Sequence, residues 1–222
     1  MDSFFVSGTG TDVGKTFVSA AFILALQKKG LSVGYEKPAE TGCKTLRGEP
    51  ICADVEFIKS LTQCVTALPE YVFAPPRAPF IAAEEAGVSI SMDTLIKRFK
   101  RRKAEVDSMV VEGAGGLLVP LTSRDSYADL ICALEIPLLI AAEAGLGTIN
   151  HTLLTIEAAR SRKIQIVGIV FSSTSPRDSD LVQSNADEIQ RISGIPVLGV
   201  LPYMSSPTRE NLSACSQKIN WP

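Results

Sequence analysis

Glycine, lysine and threonine come together near the start of the chain in a spacing suited to holding phosphate. The stretch is Phe4-Phe5-Val6-Ser7-Gly8-Thr9-Gly10-Thr11-Asp12-Val13-Gly14-Lys15-Thr16. An apolar run reads as a buried strand, a glycine-rich turn follows, and the apolar-rich segment Phe17 to Leu26 reads as a helix. Glycines allow the backbone to curl so that successive N–H groups face phosphate oxygens. The helix starting there adds the positive end of its dipole. Lys15 would neutralise β- and γ-phosphates, and the Thr16 hydroxyl would ligate Mg²⁺. Five residues separate Gly8 from Gly14, one more than the usual phosphate-loop pattern, and Thr9 stands where the first Gly of that pattern would be. A dinucleotide fingerprint fits no better, because it requires Gly where Val13 stands. The plain alternative is a glycine-rich turn with an incidental lysine.

Further residues of the right chemistry follow other strand-like runs. Lys37, in Glu36-Lys37-Pro38-Ala39-Glu40-Thr41-Gly42, would stand beside a phosphate site and could neutralise a transferring phosphoryl group or an anionic substrate. Asp54 opens a helical pattern after a long loop, as an N-cap or as a Mg²⁺ ligand. Glu112 ends an apolar run and leads into the glycine-rich turn Gly113-Ala114-Gly115-Gly116, where a strand-terminal acid can hold the metal opposite Thr16. Gly145-Leu146-Gly147-Thr148-Ile149-Asn150-His151 enters a helix and offers a second candidate anion site. Two late strand ends, Phe171-Ser172-Ser173 and Leu201-Pro202-Tyr203-Met204, lie where a nucleotide base is often met.

These residues need elements to carry them. Strands are expected at Phe4–Ser7, Ser32–Glu36, Met109–Glu112, Pro137–Ala142, Val167–Phe171 and Val197–Leu201. Helices are expected at Lys15–Lys29, Ala53–Leu61, Ile90–Lys103, Tyr127–Leu134, Ile149–Arg162, Asp178–Ser193 and Arg209–Gln217. Alternation of the two implies right-handed crossovers and a three-layer α/β fold, a mostly parallel sheet with helices on both faces, of the P-loop NTPase type. Ligands of such sheets sit outside the carboxyl ends of the strands. Ala74-Pro75-Pro76-Arg77-Ala78-Pro79 reads as a surface loop.

The 222 residues suit one domain, 1–222. A hydrophobic share of 45% marks a globular chain, and a net charge of −2 gives no bulk attraction to nucleic acid. Five cysteines without a C-x-x-C favour reduced thiols over a disulfide framework or a zinc site. With no apolar run of membrane-spanning length and a strand at the very start, a cytoplasmic protein that enters no membrane is expected.

Taken in order, Gly8 to Thr16, Lys37-Pro38 with Thr41-Gly42, Asp54, Val111 to Gly116 and Leu146 to His151 resemble the motifs of the dethiobiotin synthetase family over nearly the whole chain. That family uses the extended phosphate loop. The resemblance implies an ATP-dependent cyclo-ligase that forms the ureido ring of dethiobiotin from 7,8-diaminononanoate and CO₂, through a carbamate and a carbamic–phosphoric anhydride. It implies Mg²⁺ held by Thr16, Asp54 and Glu112. The backbone of Asp12, Val13, Gly14, Lys15, Thr16 and Phe17 would wrap the phosphates of ATP, and Glu112 to Gly115 would border the nucleotide. Lys15 and Lys37 would steady the carbamate and the transferring group. Thr11, Thr41 and Gly115 would meet the diamine. A homodimer is implied, with Gly147, Thr148, Ile149 and Asn150 of one subunit receiving the carboxylate of the substrate bound to the other. Ser172 stands where members commonly carry an Asn that reads adenine, which leaves the base preference open, and Asp12 stands where they often have Glu. A second reading is a regulatory P-loop ATPase of the partition or septum-placement type. Such proteins usually carry a second lysine early in the loop, where this chain has Thr9, Gly10 and Thr11.

Overall fold

The computed structural model describes residues 3–176 and 178–222. Its strands are β1 (Phe4–Gly8), β2 (Val33–Glu36), β3 (Ala39–Thr41), β4 (Lys44–Leu46), β5 (Glu49–Ile51), β6 (Tyr71–Phe73), β7 (Ser108–Gly116), β8 (Leu138–Glu143), β9 (Ile166–Ser172) and β10 (Val197–Leu201). The helices are α1 (Lys15–Lys28), α2 (Ala53–Leu61), α3 (Pro79–Glu85), α4 (Met92–Lys103), α5 (Tyr127–Leu134), α6 (Thr148–Ser161), α7 (Ser179–Ser193) and α8 (Arg209–Ser216).

Six strands form one parallel sheet in the order β10-β9-β8-β1-β7-β2. The sheet is covered on both faces, so its strands are apolar on both sides. Phe4 and Val6 point into a core shared with α1, α2 and α8, whereas Phe5 points into one shared with α4, α5, α6 and α7. The architecture is the three-layer α/β arrangement expected. β1 lies between β7 and β8, so the chain leaves it in one direction and returns on the other side. The crevice of a doubly wound sheet forms at such a reversal.

Three features correct the expectations. The loop before Asp54 is not featureless: it contains β3 and the antiparallel β4-β5 hairpin, three residues per strand and too short for a periodic signal. β7 does not end at Glu112 but runs on to Gly116, where it pairs with Gly8 after a break in register. The Pro-rich stretch is partly structural, since Pro79 opens α3 and the Pro75 carbonyl accepts the Gly42 N–H at 3.2 Å. Helix boundaries shift by a residue or two, as at α4, where Ser91 caps the helix through the Thr94 N–H.

Candidate active site

The loop between β1 and α1 is shaped by close approach. A Cβ on Gly8 would stand 2.7 Å from both the Gly10 carbonyl oxygen and Val13 Cγ2. Gly14 takes φ +84° at the N-cap of α1, and no side chain caps the helix there. The first-turn N–H groups therefore face the space above the loop, as an anion site needs. Lys15 folds back and donates to the Gly10 carbonyl at 2.8 Å. Burial pushes its ammonium down to about 8, with nearby Lys37 adding to the effect and Glu112 opposing it.

Glu112 is the hub of the side-chain network and is fully buried. Thr16 Oγ1 lies 2.8 Å from Glu112 Oε1 and 3.0 Å from Asp54 Oδ1. On the other carboxylate oxygen, Ser19 donates at 2.7 Å and Tyr35 at 3.1 Å. Burial and the adjacent Glu112 charge hold the Tyr35 phenol well above its usual value, so it remains a donor. Lys37 pairs with Asp54 Oδ2 and lies 3.2 Å from Glu112 Oε1, so an ammonium stands between the two carboxylates. This oxygen set of one hydroxyl and two carboxylates suits a hard dication such as Mg²⁺.

Aiming Lys37 falls to its neighbour. Glu36, 2% exposed, takes Arg102 at 2.8 Å and Arg98 at 2.7 Å. Arg102 also donates to the carbonyls of Tyr35 and Val65. These charge-assisted bonds tie the end of β2 to α4. Glu40, from β3, accepts the Asp54 N–H at 3.0 Å and so fixes the start of α2. Burial raises its carboxyl to about 7; Lys37 opposes the shift and Glu112 adds to it. Ser19, Tyr35, Glu36, Arg98, Arg102 and Glu40 had no role in the sequence reading. Only Ser19, one turn beyond Thr16, lay within reach of a periodicity argument.

A cleft of about 850 Å³ opens over these groups. Of the candidate residues, Thr11, Asp12, Gly14, Lys15, Thr16, Phe17, Lys37, Thr41, Asp54, Ala114 and Gly115 line it. A Cβ on Gly115 would stand 3.6 Å from Thr11 Oγ1, so the two face each other across a narrow gap. Glu112 lies beneath the cleft and reaches it through Thr16 and Lys37. Pro76 to Pro79, the stretch read as a surface loop, closes one wall, and Thr174 contributes from beyond β9. The remaining candidates are not in the lining. Val13 is buried under the loop, and Gly113 packs near the Phe5 ring. Ser172 is 1% exposed and so close behind Gly14 that a Cβ there would meet its Oγ at 2.2 Å. Pro202 and Tyr203 are exposed and Met204 half-buried at the tip of β10. Gly147 (φ +84°), Thr148, Ile149 and Asn150 form the start of α6, again without a side-chain cap.

A strand, a glycine loop opening a helix at Lys-Thr, and an opposing strand-end carboxylate define a P-loop nucleotide-binding protein. The family model described as an AAA domain matches residues 2–211. The chain is 42% identical over 206 residues to the ATP-dependent dethiobiotin synthetase BioD of Anaeromyxobacter sp. (strain K), covering 91% of each chain. To the enzyme of that name from Bacillus licheniformis it is 37% identical over 214 residues, 94% of this chain and 90% of the relative. The chain belongs to the dethiobiotin synthetase family. Among solved structures, a ParA family ATPase from Chlorobium tepidum TLS superposes with a TM-score of 0.58 at 14% identity, over 98% of this chain and 92% of that one, a likeness of fold.

Proposed function

We propose that this protein is an ATP-dependent cyclo-ligase of biotin biosynthesis that makes dethiobiotin from 7,8-diaminononanoate and CO₂, working as one domain spanning 1–222. The observation that carries the proposal is the meeting of Lys15, Lys37, Thr16 and Asp54 at one cleft with Glu112 beneath it. One amine of the substrate adds to CO₂ and loses a proton, giving a carbamate. A carbamate oxygen attacks the γ-phosphorus of ATP, and ADP leaves. The second amine attacks the carbonyl carbon of the mixed anhydride, phosphate leaves, and the ureido ring is closed.

Each stage gathers negative charge in one place, and the chain supplies cations there. Lys15 and the free N–H groups of α1 hold the phosphates, while Lys37 steadies the carbamate and the group in flight. Thr11, Thr41 and Gly115 position the diamine, which converts three encounters into one arrangement. Thr16, Asp54 and Glu112 would hold Mg²⁺, which when bound would neutralise charge on the β- and γ-phosphates. Ala114 and Gly115, which line the cleft, would border the nucleotide with Glu112 and Gly113 beneath, and Pro202 to Met204 would lie toward its base, Ser172 being packed behind Gly14. In a homodimer, Gly147 to Asn150 of one subunit would receive the carboxylate of the diamine bound to the other. Leu146, next to that stretch, is 87% exposed and open to contact by a partner.

The partition-type reading shares only the fold, at 14% identity, against 42% to a dethiobiotin synthetase. Phosphate release measured with MgATP, bicarbonate and the diamine separates the two. The ligase releases phosphate only when all three are present; release indifferent to the diamine would overturn the proposal.

A further inference from the structure

Behind the wall of the cleft, β3, the β4-β5 hairpin and the start of α2 bring together three side chains that play no part in the reaction above. Glu40, Cys43 and Cys52 are all buried, and one ligand atom from each lies within 4.8 Å of the others. The Cys43 and Cys52 sulfurs are 3.5 Å apart. Two thiolates on one tetrahedral zinc, each about 2.3 Å from the metal, stand about 3.8 Å apart. Little movement would therefore bring both to one ion. Glu40 is 4% exposed, and its Oε2 is buried without a hydrogen-bond partner, while its Oε1 holds the Asp54 N–H. A buried carboxylate oxygen left unpaired is costly, and a cation would satisfy it.

We propose that Glu40, Cys43 and Cys52 form a binding site for a soft or borderline divalent cation of the zinc class, separate from the Thr16–Asp54–Glu112 oxygen set. Two sulfurs and one carboxylate select Zn²⁺ over Mg²⁺, so the two sites do not compete for one ion. Ligation through Oε2 leaves Oε1 on the Asp54 N–H. Glu40 also lines the cleft, which would give an ion a route from solvent to the site. Binding replaces the two thiol protons, which leave to solvent. Two thiolates and the Glu40 carboxylate against a dication leave one negative charge, and Lys37 stands close enough to act electrostatically on all three groups. The sequence concealed this arrangement because Cys43 and Cys52 lack the close spacing of usual zinc motifs and Glu40 lies on another element. The inference stands or falls independently of the ligase reading.

The test uses the full chain, reduced, in excess Mg²⁺ to fill oxygen sites, with Co²⁺ as the probe. Thiolate-to-cobalt charge-transfer absorption should appear, saturate at one equivalent and vanish on adding Zn²⁺. Cys43→Ser and Cys52→Ser should each weaken Co²⁺ binding by about 100-fold or more. Cys64→Ser should leave it unchanged, because Cys64 contacts Thr62 outside the cluster. Should the serine variants fail to fold, the unmodified chain still decides: Zn²⁺ should slow alkylation of Cys43 and Cys52, mapped by mass spectrometry, but not that of exposed Cys132. No charge-transfer band, a band surviving both serine substitutions, or alkylation indifferent to Zn²⁺ would each overturn the proposal.

Discussion

The two halves of the sheet end very differently. At the tips of β1, β7 and β2, side chains are bound to one another: Glu112 is shared by Thr16, Ser19, Tyr35 and Lys37, and Lys37 also holds Asp54. At the tips of β8, β9 and β10 the loops are comparatively bare. Thr174 donates to Glu143 at 2.8 Å, but Leu146, Pro202 and Tyr203 face solvent. The first half is preorganised, as a group that must stabilise developing charge has to be. The second is joined by fewer side-chain bonds and exposes apolar side chains, the kind of surface that a partner or ligand completes.

The sharpest way to break this comparison is to remove the hub. Glu112→Ala leaves Ser19 and Tyr35 without their acceptor and Lys37 and Thr16 with Asp54 alone, and the unfolding free energy should fall by about 3–5 kcal/mol. Tyr203→Ala, on the bare side, should stay within about 0.5 kcal/mol. Denaturant titration of both variants is the check, and equal losses would erase the distinction. Lys37→Ala should lower turnover by ~10²-fold or more while nucleotide binding persists. Turnover unchanged in steady-state assays would remove Lys37 from the chemistry.

Smaller effects sharpen the picture. Leu146→Asp places a negative charge beside the α6 start, so KM for the diamine should rise by about tenfold with kcat nearly constant. A fall in kcat alone would argue against carboxylate recognition there. The smallest effect concerns protons. Lys15 is depressed from 10.5 to about 8 by burial, so in the free protein it loses its charge as pH rises through 8. Bound phosphate favours the charged form, so nucleotide binding near pH 8.5 should take up a fraction of a proton, and binding near pH 6.5 none. Calorimetry in buffers of differing ionisation enthalpy measures this uptake. For stability the sign is fixed in the same way. Below pH 8 Lys15 is charged in both states and its burial opposes folding; between about 8 and 10.5 the unfolded chain binds the extra proton, so that penalty is relieved as pH rises.

How much was legible depended on whether a residue announced itself locally. Gly14-Lys15-Thr16 did, because a phosphate loop is one continuous segment whose strand and helix adjoin it. Lys37 and Glu112 did, because each ends an apolar run and such ends face one edge of a parallel sheet. Glu40 and the cysteines did not, because three-residue strands carry too little periodicity to be seen. Pro76 and Arg77 are exposed, as a surface loop should be, but that the stretch walls a cleft was not readable, because a proline-rich composition is the same in either case. Ser172 shows a subtler failure: its strand-end position was readable, but not that its hydroxyl would be packed behind Gly14.

By itself the sequence determined the alternation of strand and helix, the phosphate loop and the charges that end the strands, since hydrophobic periodicity and glycine stereochemistry act over a few residues. Only the tertiary structure decided that Glu112 serves four partners, that Arg98 and Arg102 grip Glu36 behind Lys37, and that two distant thiols meet a buried carboxylate. The Glu112 and Glu36 contacts join segments far apart in the chain, and the thiols and Glu40 meet only through the folding of short elements that carry no periodic signal. They exist only once packing has placed the elements in register and brought most buried polar groups against a partner.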